Sequence, residues 1–140
     1  MAEYELRASE PDDLARIVVQ PAQRDELASE LPDGHVWTFL AGAEVLMIIG
    51  ASSEDAGRIL MWSLLSETAG RHMRRVHRVA ELVCDAAARS APRIEALAKA
   101  GFPQAHRWLS MLGFVCEAER LRKFHNGVDY SLWARVNDDG

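Results

Sequence analysis

Between Glu3 and Ala8 polar and apolar side chains alternate. Tyr4 and Leu6 are set against Glu3, Glu5 and Arg7, a period of two that predicts a strand. The pattern then changes. Ser9 stands where a helix N-cap is wanted, Pro11 suits a first turn, and Asp12 and Asp13 favour the positive end of a helix dipole. Leu14, Ile17 and Val18 give that helix an apolar face, and Pro21 ends or kinks it. A mostly polar second helix is predicted over Ala22 to Leu31, on the surface, and Pro32-Asp33-Gly34 reads as a turn.

From His35 to Leu65 the pattern is that of strands. Val36 to Leu40 is one, Ala41-Gly42-Ala43 turns the chain, and Val45 to Ile49 is a continuous apolar run, hence a strand buried on both faces. Ala51 to Gly57 is predicted as a polar turn and Ile59 to Leu65 as another strand, which completes an antiparallel meander. Thr68 to Arg89 switches to a helical period, with Met73, Val76, Ala80, Val83 and Ala87 recurring at threes and fours. Ser90-Ala91-Pro92 ends that helix, and Arg93 to Ala98 follows as a strand. Strand, helix and strand in succession make a crossover, which puts two parallel neighbours into an otherwise antiparallel sheet.

Ala105 to Phe114, A-H-R-W-L-S-M-L-G-F, reads as a short amphipathic helix that stops at Gly113, where a left-handed backbone costs glycine little. Trp108, Leu109 and Leu112 fall on one side of it, and Met111 follows Trp108 at i+3. The chain closes in a hairpin, Phe114 to His125 and Val128 to Val136, about Asn126-Gly127, the dipeptide a type I′ turn favours. Val136 to Gly140 reads as a frayed tail. No repeat or composition shift divides the chain, so residues 1–140 are read as a single domain.

Composition narrows the function classes. At 140 residues, 49% of them hydrophobic, the chain can bury a real core. Its net charge of −5 argues against a non-specific nucleic-acid partner or an anionic membrane surface. The N-terminus has no apolar stretch of a signal peptide, and no run approaches the roughly 20 apolar residues of a membrane span. The expectation is a soluble, cytoplasmic protein whose two cysteines, Cys84 and Cys116, are reduced thiols. The five histidines show no metal spacing, and neither a nucleophile elbow nor a phosphate-binding P-loop occurs. Trp37, Trp62, Trp108 and Trp133 read as core.

One charged pattern is out of place. Arg71, Arg74, Arg75 and Arg78 form a stripe at i, i+3, i+4 and i+7 at the start of the long helix. The stripe is either the solvated face of an amphipathic helix or a holder of anions. Cations at a helix N-terminus oppose the dipole, and a bound anion would remove that conflict.

The element order, and at the level of residues the Ala105–Phe114 stretch, resemble the GNAT fold of the GCN5-related N-acetyltransferases. The implied class is α+β: a GNAT-like mixed, mostly antiparallel sheet with helices on both faces and one β-α-β crossover. Within that fold the chain looks most similar to a small bacteriophage-encoded group with a Trp-Ser strand end (Trp62-Ser63), an Arg-rich helix start and the same helix. The resemblance implies acetyl-CoA as cofactor, its pantetheine arm held by backbone at Leu64, Leu65 and Ser66 and its phosphates by Gly70, Arg71, His72, Arg74 and Arg75. It implies an amine acceptor, small molecule or protein. Two family features are missing. The usual Arg/Gln-x-x-Gly-x-Gly/Ala loop is reduced to Gly70 alone, and the tyrosine that serves as general acid is Leu109. Glu67 as a base and His106 as a proton donor are the candidate substitutes. The other reading is a catalytically inactive GNAT-shaped binding or assembly module, associated with a phage virion or scaffold and able to pair as a homodimer.

Overall fold

The computed structural model describes residues 3–137. The strands are β1 (Tyr4–Ala8), β2 (His35–Ala41), β3 (Glu44–Asp55), β4 (Arg58–Leu65), β5 (Arg93–Lys99), β6 (Val115–His125) and β7 (Val128–Val136). They form one seven-stranded sheet in the order β1-β2-β3-β4-β5-β7-β6. The expected parallel pair is β4 with β5, from Arg58 opposite Arg93 to Met61 opposite Ala96. The pairs β1–β2, β2–β3, β5–β7 and β6–β7 are antiparallel. The α-helices are α1 (Asp13–Arg16), α2 (Met73–Ser90) and α3 (Pro103–Met111), with 3-10 helices at Pro21–Glu26 and Ala69–His72. The α+β class read from the sequence, a mixed, mostly antiparallel sheet with one crossover, is the observed one.

Two compact units make up the chain. The first comprises residues 1–52 and 62–82. Its core gathers Leu14, Ile17 and Val19 against Leu40, Val45, Ile48 and Leu64, with Trp62 packed at the side. Trp62 lies so close over Gly50 that a Cβ there would sit 2.4 Å from the indole.

Beside this core Asp13 is fully buried. Its carboxylate accepts both Arg7 guanidinium nitrogens at 2.8 and 2.9 Å, the Thr38 hydroxyl at 2.6 Å and the Glu10 N–H at 2.8 Å. The Arg7 bonds outweigh burial and, with those from Thr38 and Glu10, hold the carboxyl well below the usual carboxylate range.

The second unit comprises residues 53–61 and 83–140. Ile94, Ala96, Ala98, Phe114 and Trp133 are buried there. Helix α3 ends in a Schellman motif: Phe114 N–H bonds the Leu109 carbonyl and Gly113 N–H the Ser110 carbonyl, with Gly113 at φ +93°. Asn126 and Gly127 have the positive φ of the expected hairpin turn, 51° and 72°. Both cysteines are free thiols, and burial pushes that of Cys84 up to about 11.

Several local expectations are corrected. Ser9 caps no helix. Its N–H bonds the Val36 carbonyl and its hydroxyl meets that of Thr38 at 2.7 Å, so it belongs to the β1–β2 edge. The first helix is one turn, because Ile17 turns extended (ψ 131°) and leaves Val18 58% exposed. The helix expected over 22–31 is a six-residue 3-10 helix that buries none of its residues, so it has no apolar face to lengthen it. Most of Ala51–Gly57 is strand: β3 runs to Asp55, and its pairing with β2 continues past the apolar run to Ala51. The long helix opens with a 3-10 turn and becomes α only at Met73. Met111 is 67% exposed rather than on the buried side of α3. Of the expected tail, residues 138–140 lie outside the described residues.

Removing the charge of Asp13 has a definite expected cost. Asp13→Asn leaves Arg7 without its carboxylate and is expected to destabilise the fold by about 3 kcal/mol in chemical denaturation. The pH dependence has a sign. The folded pKa is depressed, so the contribution is complete above the unfolded value of about 3.9 and fades as pH falls below it. The variant's stability is expected to fall less steeply than the wild type's across that acid range.

Candidate functional site

The end of β4 and the turn after it carry most of the sequence-predicted residues, all in the first unit. Leu64 is buried in the core, and Ser66 is 5% exposed. Along a strand, backbone groups alternate between its two edges. Ser66 N–H bonds the Leu46 carbonyl on β3 at 2.9 Å, so Leu64 and Ser66 turn their backbone toward β3. Of the three residues expected to hold an extended ligand, Leu65 alone faces the opposite edge, together with Ser63 and Glu67.

That outer edge has partners within the chain. The Gln23 carboxamide donates to the Ser63 carbonyl at 2.7 Å and accepts the Leu65 N–H at 3.0 Å. Gln20 N–H bonds the Leu65 carbonyl and Glu67 N–H the Val18 carbonyl, both at 2.8 Å. Val19 and Ser66 form the antiparallel bridge between them. The extended segment 18–20 exists because Ile17 leaves the helix, and it is stitched to β4 like a short extra strand.

After Ser66 the chain enters the 3-10 turn. Ala69 N–H bonds the Ser66 carbonyl and Arg71 N–H the Thr68 carbonyl; the Gly70 N–H between them takes part in neither bond. Gly70 has no atom within 4 Å of where a Cβ would stand, so the space beside it is open. Arg71, Arg74, Arg75 and Arg78 are all exposed. Arg75 lies over the Tyr4 ring at 4.6 Å, and His72 Nδ1 is 2.8 Å from the Tyr4 hydroxyl. Among the described residues no ion pair involves Arg71, Arg74 or Arg78. Helix α2 therefore starts with three unneutralised cations beside an open backbone.

A cleft of about 300 Å³ lies next to this turn, lined among others by Arg16, Glu44, Ser66, Glu67 and Thr68. Thr68 donates a hydroxyl bond to the Glu44 carboxylate. Glu67 is exposed on its wall.

His106 is in the second unit and half-buried on α3. Its Nε2 is 2.9 Å from the Lys99 carbonyl, which accepts only, so Nε2 carries the proton. Ser131 Oγ lies 3.3 Å from the same nitrogen and also accepts from the Trp133 indole N–H at 2.8 Å. Leu109, at the place of the missing tyrosine, is half-buried and gives its carbonyl to the helix cap. Among the described residues no three His, Cys, Asp or Glu side chains converge to hold a metal, and no helix is long and apolar enough to cross a membrane.

Sequence reasoning missed Gln20, Gln23 and Tyr4. A glutamine in a polar surface segment carries no signal that its amide reaches 40 residues ahead to β4. The alternation in β1 marked Tyr4 as inward-facing but not as the partner of His72 and Arg75.

In sequence, no family model matches the chain, and no curated protein does. In structure it is similar to Ard1 from Thermoplasma volcanium, with a TM-score of 0.75 at 13% identity over 95% of this chain and 97% of that one. A variant of the spermidine N-acetyltransferase SpeG from Vibrio cholerae follows at 0.70, with 12% identity over 97% and 95%. So does yncA from Salmonella typhimurium, assigned as an acetyltransferase and solved with its cofactor acetyl-CoA, at 0.69 and 12% over 98% and 95%. The narrower resemblance to phage-encoded proteins finds no support among these neighbours. The likeness is one of fold, and the fold is that of the GNAT acetyltransferases.

Proposed function

We propose that this protein is an acetyl-CoA-dependent N-acetyltransferase acting on an amine. The observation that carries the reading is the start of α2, where exposed Arg71, Arg74 and Arg78 lack carboxylate partners beside the open Gly70 backbone. A polyanion fits that place. It neutralises the arginines, satisfies the positive end of the helix and forms charge-assisted bonds of the stronger kind.

In this reading the CoA phosphates rest on Gly70, Arg71, His72, Arg74 and Arg75, and the cofactor supplies a thioester whose acetyl group is transferable. The arm would use the outer edge of β4 at Ser63 and Leu65. The amine nitrogen attacks the thioester carbonyl carbon, a C–N bond forms, the C–S bond breaks, and CoA leaves as the thiol with the proton the amine gives up. Glu67, exposed beside the cleft, is the candidate base for that proton. His106 serves as a positioning residue, because its protonated nitrogen is already bound to the Lys99 carbonyl. The acceptor is a small-molecule or protein amine in the cytoplasm. Spermidine, substrate of the SpeG neighbour, is the first to test.

A second reading is favoured by two specific observations. The outer edge of β4 is filled by the chain's own segment 18–23, and Leu109 replaces the acid. Both suit a GNAT-shaped binding module without catalysis, partnered by another protein or a second copy of itself.

Calorimetric titration with acetyl-CoA separates the two. Micromolar binding is expected, weakened about tenfold or more in the double variant Arg71→Ala, Arg74→Ala. Absence of heat up to millimolar ligand removes the cofactor and leaves the module. With spermidine or another accepted amine, Glu67→Gln is expected to lower kcat about 100-fold with acetyl-CoA affinity unchanged. An unchanged kcat removes Glu67 as the base.

A further inference from the structure

From the Ser63 carbonyl to the Glu67 N–H, four backbone groups face the outer edge of β4, and all four are bonded to Val18, Gln20 or Gln23. Gln23 is the unusual member. Its carboxamide is saturated: Oε1 accepts from Leu65 N–H and from Gln20 Nε2 at 2.8 Å, while Nε2 donates to the Ser63 carbonyl and to Glu26 Oε1 at 3.1 Å. The Leu65 N–H can meet only an acceptor and the Ser63 carbonyl only a donor, so the orientation of the amide is fixed. A primary carboxamide held between a strand C=O and a strand N–H presents the same donor–acceptor pair as the N–H and C=O of one residue of a neighbouring strand, which belong to two successive peptide units.

We propose that Gln23 is a built-in competitor for this edge. Its side chain occupies the place of an N–H and a C=O drawn from two successive amides of an extended ligand, and such a ligand pairs with Ser63 and Leu65 only after lifting Gln23 away. The amide-bearing pantetheine arm of acetyl-CoA is that ligand, so the inference rests on the function proposed above. The hold is suited to release. Gln23 sits on a 3-10 helix that buries none of its residues, so lifting it exchanges hydrogen bonds without breaking an apolar core. The resting chain thus keeps its strand edge satisfied, and the apparent affinity for the arm is reduced by the fraction of molecules in which Gln23 is displaced.

The test compares the full chain with Gln23→Met, which keeps length and removes both polar atoms, and with Gln23→Ala. Titrations use acetyl-CoA and, separately, the CoA nucleotide without its pantetheine arm. Both variants are expected to bind acetyl-CoA about tenfold more tightly than wild type, with affinity for the armless nucleotide unchanged. Amide exchange at Leu65 is expected to be slow in wild type and faster in the variants. Acetyl-CoA affinity equal in all three proteins overturns the competitor role and leaves the cofactor assignment standing. Failure of every variant to bind either ligand overturns both. A Leu65 amide that exchanges equally fast in wild type and in Gln23→Met overturns the contact itself.

Discussion

The buried carboxylate of Asp13 is the interaction on which the N-terminal unit depends. A carboxylate with no exposure to water is tolerated only when its charge and lone pairs are met, and here Arg7, Thr38 and the Glu10 backbone meet them. Those donors come from β1, from β2 and from the turn between β1 and α1. The single turn of α1 is therefore pinned at its first residue, and Ile17 and Val19 enter the core from a fixed starting point. The segment that follows runs extended alongside the end of β4, with Val19 opposite Ser66.

The start of α2 presents the reverse situation. Apart from Arg75, which lies over the Tyr4 ring, its arginines have no ion-pair or ring contact among the described residues. An exposed cation in the first turn, as Arg74 is, costs about 0.3–1 kcal/mol against the helix dipole, and no carboxylate among the described residues pairs with Arg71, Arg74 or Arg78. Acidic residues are available nearby, since Glu44 and Glu67 line the adjoining cleft, yet Glu44 is engaged by Thr68. Three arginines without an ion pair, close to one uncommitted carboxylate at Glu67, are the observation on which the proposed anion site rests. Asp13 is a charge the fold consumes, and the α2 arginines are charges the fold leaves over.

The fold was legible because its signals are local and periodic. Alternation in β1, the apolar run of β3, the long helical period and the Asn126-Gly127 turn each need only neighbours in sequence, and together they give the order of elements. The misplaced boundaries lie where a distant partner overrode a local preference. Ser9 has the side chain of a cap, but Thr38 and Val36 claim it for the sheet. Residues 51–55 have turn-like composition, but β3 continues through them to Asp55, with Ala51 still opposite His35 of β2. The candidate site was legible by charge and not by backbone. The arginine stripe is visible in the sequence, whereas Leu64 and Ser66 face β3 for a reason of parity that appears only once the register is known. Gln23 left no trace at all, because its meaning lies in a contact 40 residues away.

These features bear on how a GNAT-shaped chain can lose its usual acid and loop glycine and still act. Positioning an amine against a thioester supplies much of the acceleration of acyl transfer, so a side-chain acid is the more dispensable part. An edge that can pair with the arm and a charge cluster that can hold the phosphates are harder to replace. Here Arg71, Arg74 and Arg78 have no ion-pair partner among the described residues, while the backbone groups of Ser63 and Leu65 are bonded to Gln23 and Gln20. Apolar side chains packed over the β4 edge would leave its N–H and C=O groups unpaired at a cost, whereas the Gln23 carboxamide and the backbone of 18–20 satisfy them. The bonds of Gln23 satisfy the edge at rest, and in the proposed reading an amide-bearing arm reaches it only by lifting that side chain away.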